Sequence, residues 1–188
     1  GEDYFYFSIT LPPFTFGTIH FMGGTIAAEF FTSGDFTADV GFPWQAPGGG
    51  RQWERTLGAI ITPGQASAGF YIRKRETALA TGGNRLAVSG GFALQWGLGA
   101  TFGGGVFTVW VRVGIYVILE GRVELDIEAG KARLHAFAFH GAAGVLVEGY
   151  GELNWWVISV RVSVRASAEI RASLIWEEGK KMRMPIEA

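Results

Sequence analysis

From Trp156 to Trp176 every second residue is apolar: Trp156, Ile158, Val160, Val162, Val164, Ala166, Ala168, Ile170, Ala172, Leu174 and Trp176. The residues between them are mostly Ser, Arg and Glu. Period-two alternation marks a β-strand with one apolar and one polar face. Ordinary strands are about 5–6 residues long. This run, at ~3.3 Å per residue, would reach roughly 65 Å if unbroken.

Three more long runs precede it. Leu86, Val88, Phe92, Leu94, Trp96, Leu98, Ala100 and Phe102 share one parity. Their opposite face is Ala, Ser, Gly, Gln and Thr, small enough for another element to pack closely on it. The next run alternates from Phe107 to Ile127, with Arg112, Glu120, Arg122, Glu124, Asp126 and Glu128 on the other parity. The third, Arg133–Leu153, is richer in Ala and Gly. Glycines inside these runs (Gly114, Gly121, Gly141, Gly144) are expected to bend, bulge or break the strands. Turn signals at Gly103-Gly104-Gly105, Ala129-Gly130, Asn154 and Gly179 separate or close the runs. Residues 86–176 are therefore expected to be almost wholly strand.

Residues 1–80 have another texture, with five of the six prolines and short strand-like stretches: Tyr4–Leu11, Thr18–Met22, Thr25–Phe31, Phe36–Phe42, Thr56–Ile61 and Ala68–Arg75. Gly and Pro clusters separate them, and Pro47-Gly48-Gly49-Gly50 is expected to be a loop. No helix-period stripe is present. The fold class expected is all-β: a long-stranded antiparallel meander forming a curled sheet or open barrel, with shorter N-terminal strands packing on it. The chain reads as one β-rich domain over residues 1–188, with a short-strand part (1–80) and a long-strand meander (85–188). It is expected to be a fragment of a longer chain.

Composition narrows the function classes. The 188 residues are 48% hydrophobic and 18% charged, with a net charge of −1. No basic footprint for nucleic acid exists. The longest apolar run, Val113–Leu119, is far short of the ~20 residues of a spanning helix. Cysteine is absent, which excludes disulfides and thiolate metal sites and fits an exported or cell-envelope protein as well as many cytosolic ones.

Few residues suggest chemistry. His135 and His140 differ by an odd number, so they face opposite sides of a strand and cannot share a metal unless a bulge intervenes. Glu120, Glu124, Asp126 and Glu128 line one face of one strand. Such a row fits a cross-strand ion ladder, with Arg112, Arg161, Arg165 and Arg171 as the opposite charges. Asp35 reads as a turn residue, and Asp39 faces away from Phe36, Val40 and Phe42. No nucleophile elbow, phosphate loop or cofactor motif is present, so no catalytic, cofactor or metal residues are assigned and no enzyme is expected. Trp110 lies on the polar parity with Arg112 and Tyr116. Trp110, Arg112, Tyr116, Glu120, Arg161 and Arg165 together form a candidate interaction surface.

The stretch Gly34-Asp35-Phe36 to Gly41-Phe42-Pro43-Trp44, with Ala68-Gly69-Phe70-Tyr71-Ile72 and Gly149-Tyr150-Gly151-Glu152-Leu153, resembles a family of very large bacterial proteins. That family shares a Gly-rich β domain of unknown function. Ser67-Ala68 departs from its more glycine-rich pattern. The resemblance implies an internal portion of a much longer bacterial chain, with no catalytic residues to carry over. The expected function is a non-catalytic structural, scaffold or interaction segment of a large β-rich protein. Its expected partners are neighbouring β segments of the same chain or of a multi-subunit assembly. The alternatives are a hydrophobic groove that binds or conducts lipid, or part of an outer-membrane β-barrel. They turn on whether the Val/Ile/Ala face is covered.

Overall fold

The computed structural model describes residues 3–47, 50–61, 64–104, 107–155 and 158–187. Gly103, Gly104 and Asn154, expected as turns, lie in strands, because their ladders continue to Gly104↔Phe107 and to Trp155↔Ile158; Gly105 and the centre of the Pro47–Gly50 loop lie outside the described residues. Eleven strands form one antiparallel sheet: β1 (Tyr4–Leu11), β2 (Phe14–Phe16), β3 (Ile19–Phe31), β4 (Phe36–Val40), β5 (Leu57–Ile61), β6 (Gly64–Ala78), β7 (Asn84–Gly104), β8 (Phe107–Glu128), β9 (Lys131–Trp155), β10 (Ile158–Glu177) and β11 (Ile186–Glu187). Strands β7 to β10 are 21, 22, 25 and 20 residues long. The long alternating runs are these four strands, each paired with the next as a hairpin. Among the described residues helix is confined to one 3-10 turn, Trp53–Arg55.

The glycines do not break the long strands. Pairing of β8 with β9 runs through Gly114, Gly121, Gly141 and Gly144, and its register shifts only between Glu124 and Leu125. Ladder hydrogen bonds need no side chain, so a glycine flanked by paired neighbours on both sides stays extended.

The N-terminal strands join the same sheet edge to edge. β1 and β2 lie end to end along one edge of β3, because β1 pairs as far as Leu11↔Gly24 and β2 resumes at Phe14↔Phe21. The gap is Pro12-Pro13, which has no N–H to give the ladder. The stretches Thr18–Met22 and Thr25–Phe31 merge into β3 through Gly23 and Gly24, whose φ values are +85° and +151°.

A similar split on the other side of β3 shapes the whole molecule. β4 pairs Ile26–Phe30 of β3 and Phe70–Lys74 of β6, while β5 pairs His20–Gly23 of β3 and Gly64–Ala68 of β6. β4 and β5 thus fill successive halves of one strand position. The chain leaves the sheet at Gly41 (φ +65°) and re-enters in line at Leu57. The four pairings among β3, β4, β6 and β5 form a ring around this opening rather than a closed barrel. The described residues of this excursion, 42–47 and 50–56, lie on one face of the sheet.

The registers define the two faces. Ile9, Ile26, Val40, Phe70, Phe92, Leu119, Gly141, Ala172 and Ile186 form one row across every strand position. This apolar face is open. Phe92, Leu94, Trp96 and Leu98 are 46–48% exposed, and Val113, Ile115, Val117 and Leu119 are 44–56% exposed. The buried cluster lies on the other, polar-parity face: Phe42 and Trp53 of the excursion pack on Tyr71, Ala93, Tyr116, Ile118, Ala142 and Leu146.

Candidate interaction surface

On the polar face, Asp39 of β4 ties down both roots of the excursion. Its carboxylate accepts hydrogen bonds from the backbone N–H of Phe42 (2.8 Å), Trp44 Nε1 (2.6 Å) and Arg55 Nη2 (2.6 Å). Asp39 is only 4% exposed. The Thr56 hydroxyl donates to the Trp53 carbonyl at 2.6 Å, closing the 3-10 turn. Between the roots, Gln45 forms an antiparallel bridge with Arg51 and the Ala46 N–H donates to the Gly50 carbonyl.

The excursion covers the sheet with aromatic rings. Phe42 and Trp44 lie 4.6 and 4.5 Å from Tyr71 between ring centroids, and Trp53 lies 5.2 Å from Tyr116. The sheet accommodates them through small residues. A Cβ on Gly91 would sit 2.4 Å from the Tyr71 ring, and one on Gly144 would sit 2.5 Å from the Tyr116 ring. The expected small-residue face of the first long run is therefore the bed on which this segment rests.

Around it runs a network of ion pairs and tyrosine hydrogen bonds. Glu148 accepts from Arg112 at 2.6 Å and Arg165 at 3.2 Å. Glu152 pairs with Arg161 at 3.2 Å. Tyr116 donates to Glu169 at 2.7 Å, and Arg171 donates to the same carboxylate. Tyr71 donates to Glu120 at 3.1 Å, and Arg51 approaches Glu120 at 4.0 Å. The ladder exists, but its partners differ from those expected. β9 separates β8 from β10, so Arg161 and Arg165 pair with glutamates of β9 and not with the acidic row of β8.

That row is split instead among Tyr71, Arg122, Arg85 and Thr81; Arg85 binds Asp126 at 2.7 Å, and the Thr81 hydroxyl donates to Glu128 at 2.8 Å. The bulge at Glu124/Leu125 reverses the expected facing of the histidines. His135 turns to the polar face, 3.3 Å from Asp126, and His140 shares that face with Ser173.

The six residues of the expected surface are split. Tyr116 (5% exposed) and Glu120 lie under the excursion. Trp110, Arg112 and Arg165 gather beyond it, and Arg161 pairs with Glu152. The Arg112 guanidinium lies 5.9 Å from the Trp110 ring. Trp110, Arg112 and Arg165 share a cleft of about 770 Å³ with Gln95, Trp53 and Glu148. Arg112 is only 7% exposed, so it packs within the chain rather than offering a free cation.

Ionisation follows from these contacts. Burial, then Glu120, pushes the Tyr71 hydroxyl up to about 12. Burial and the hydrogen bond to Glu169 raise Tyr116 above the ordinary tyrosine range. Burial opposes ionisation of Glu169, but hydrogen bonds from Arg171 and Tyr116 outweigh it and lower its pKa. The Arg85 hydrogen bond lowers Asp126, and hydrogen bonds from Asn154, Tyr150 and Arg161 lower Glu152.

Lowered carboxylates stabilise the fold above their unfolded pKa of about 4, and this is lost as pH falls through the folded values. Raised tyrosines stabilise it below about pH 10, and this is lost as pH climbs toward their folded values. Urea unfolding should thus give a stability plateau between about pH 5 and 9 with losses on both sides. A steady slope across neutrality would contradict these assignments.

The opposite face carries no comparable network. Its row from Ile9 to Ile186 has no polar member. A shallow trough of about 640 Å³ crosses it, with Gly90, Gly121, Gly141 and Ala172 in its floor and Phe92 and Phe139 among its walls. The periodicity located this face but left open whether it was covered. No family model matches the chain, and comparisons with curated proteins and with solved structures return no significant match.

Proposed function

We propose that this chain is a non-catalytic structural segment of a large bacterial β-rich protein, working through its apolar sheet face. The observation that carries this is the exposure of that face while the chain's own core lies on the other one. Four strands at ~4.8 Å spacing and about 20 residues each at ~3.3 Å make a face of roughly 60 by 20 Å. A typical monomer's largest apolar patch is about 300–600 Å². Half-exposed valines, isoleucines and phenylalanines on a regular pleat are what the inner face of a β-sandwich presents to its second sheet. The natural cover is a neighbouring β segment of the same assembly.

A second reading, an acyl-chain groove, is favoured by the glycine-floored trough, where an aliphatic chain could lie close to the backbone. An outer-membrane wall fits less well. The apolar side of β8 from Phe107 to Ile127 spans about 65 Å, roughly 45 Å after a 45° tilt, against a band of about 25 Å.

Absence of cysteine makes the test direct. Ile115→Cys and Val162→Cys report the apolar face, and Ser163→Cys reports the polar one. In the intact assembled protein the first two should react slowly with maleimide, and in this chain alone they should react fast. Equal rates in both settings would sink the proposal. Protection that disappears on delipidation would transfer it to the groove.

A further inference from the structure

The two outer strands are open edges of complementary design. β1 pairs β3 along one side only, and no described residue pairs its other side. Its sequence Tyr-Phe-Tyr-Phe-Ser-Ile-Thr-Leu carries no charge, and its pairing shows no register shift. Its side chains are exposed up to Thr10, with Tyr4 at 63%, Phe5 at 65% and Tyr6 at 53%. Soluble proteins usually blunt such an edge with lysine, proline or a bulge. Here Pro12-Pro13 ends the strand but leaves all eight residues unprotected.

At the far edge, residues 183–187 cover β10 only at its second half, contacting Arg171, Ala172, Ser173 and Ile175. The first half, from Ile158 to Ala168, has no partner on that side among the described residues. It alternates Val160, Val162 and Val164 on the apolar face with Arg161, Ser163 and Arg165 on the polar face.

Direction completes the match. β1/β2, β3, β4/β5, β6, β7, β8, β9 and β10 alternate in direction, each antiparallel to the last. β10 therefore runs opposite to β1. When two copies lie side by side with their apolar faces coplanar, β10 of one is antiparallel to β1 of the next. Phe5, Phe7 and Ile9 then continue the valine face, and with Tyr6 opposite Ser163, Tyr4 opposes Arg165 while Tyr6 lies diagonal to both Arg161 and Arg165, contacts that aromatic rings and guanidinium groups favour. Because the second half of β10 is already covered, the copies must be offset along the strands.

We propose that β1 is a strand-addition site whose occupant is the uncovered first half of β10 in a second copy, giving a head-to-tail extended sheet. Such a heterologous contact propagates unless its rotation closes a ring. It uses the edges and does not depend on what covers the apolar face.

Sedimentation velocity over a concentration series tests it. The wild type should form larger species as concentration rises. Tyr6→Lys, which sets a cation against Arg161 and Arg165, should abolish them, and Tyr6→Glu should keep them. Ile115→Lys, on the apolar face, should leave them unchanged, which separates edge pairing from face stacking. A Tyr6→Cys copy oxidised with a Ser163→Cys copy should give the mixed disulfide dimer. A monomer at all concentrations, equal loss with lysine and glutamate at position 6, loss with Ile115→Lys, or no mixed dimer would each overturn the proposal.

Discussion

Replacing Asp39 by alanine should destabilise the protein by about 3 kcal/mol, since a buried carboxylate that leaves its charged and neutral donors unpaired costs that much or more. Three donors depend on it: the Phe42 N–H, the Trp44 indole and the Arg55 guanidinium. Arg55 keeps some solvent contact, with its side chain 25% exposed, which holds the figure below that of a fully buried pair. Asp39→Asn should recover little. Its amide offers one acceptor oxygen, and its NH₂ would face at least one of the donors. The change should also be local. The ladders of β6 to β10 do not pass through Asp39, so the excursion should loosen before the sheet does. Trypsin should then cut at Arg51 or Arg55 in the variant while the wild type resists. Unchanged urea stability together with unchanged cleavage would show that the carboxylate does not hold the excursion.

The long sheet was legible because alternation is a local property. Val160, Val162 and Val164 against Arg161, Ser163 and Arg165 identify a strand and its two faces without any partner. What alternation cannot supply is which face the rest of the chain will cover. Arg112 and Tyr116 sit on the polar parity, which points them at solvent, yet both are buried. The clue was present in the residues opposite them. Gly91, Ala93, Ala142 and Gly144 are smaller than a solvated sheet face requires, and they fit rings placed above them. Finding the rings needed the register of β6. Only there do Phe36–Val40 and Leu57–Ile61 prove to be halves of one strand position and not two separate strands.

Charge partners were hidden for a related reason. The acidic row of β8 and the arginines of β10 are complementary in sequence but two strands apart in space. Exposed pairs are worth little individually, so composition does not select among them. Strand order does, by placing Glu148 and Glu152 between the two.

The excursion completes the buried core. A sheet with one open apolar face and one charged face has little core of its own. The excursion supplies Phe42 and Trp53 and converts part of the polar face into an interior. The chain thereby gains a core without using its regular apolar face, which stays exposed. In a self-contained sandwich the valine face would be the first surface covered; here it is the face left exposed.

Gly69→Ala probes that core most sharply. Gly69 lies in β6 opposite the break between β4 and β5. A Cβ there would be 2.0 Å from the Gly41 carbonyl oxygen and 2.7 Å from the Phe42 nitrogen. Both are backbone atoms at the root of the excursion, so no rotamer change relieves the clash. The root must move, and with it the Asp39 hydrogen bonds and the Phe42 ring. The expected cost is about 3 kcal/mol, at the upper end for overpacking. For a chain of this size that corresponds to a fall in melting temperature on the order of 10 °C. Trp53 should become more exposed, with a red-shifted emission. Gly149→Ala is the matched control, since a Cβ at Gly149 meets nothing within 4 Å. It should change stability by less than about 0.5 kcal/mol. If the two substitutions prove equally mild, the close approach at Gly41 does not set the path of the excursion.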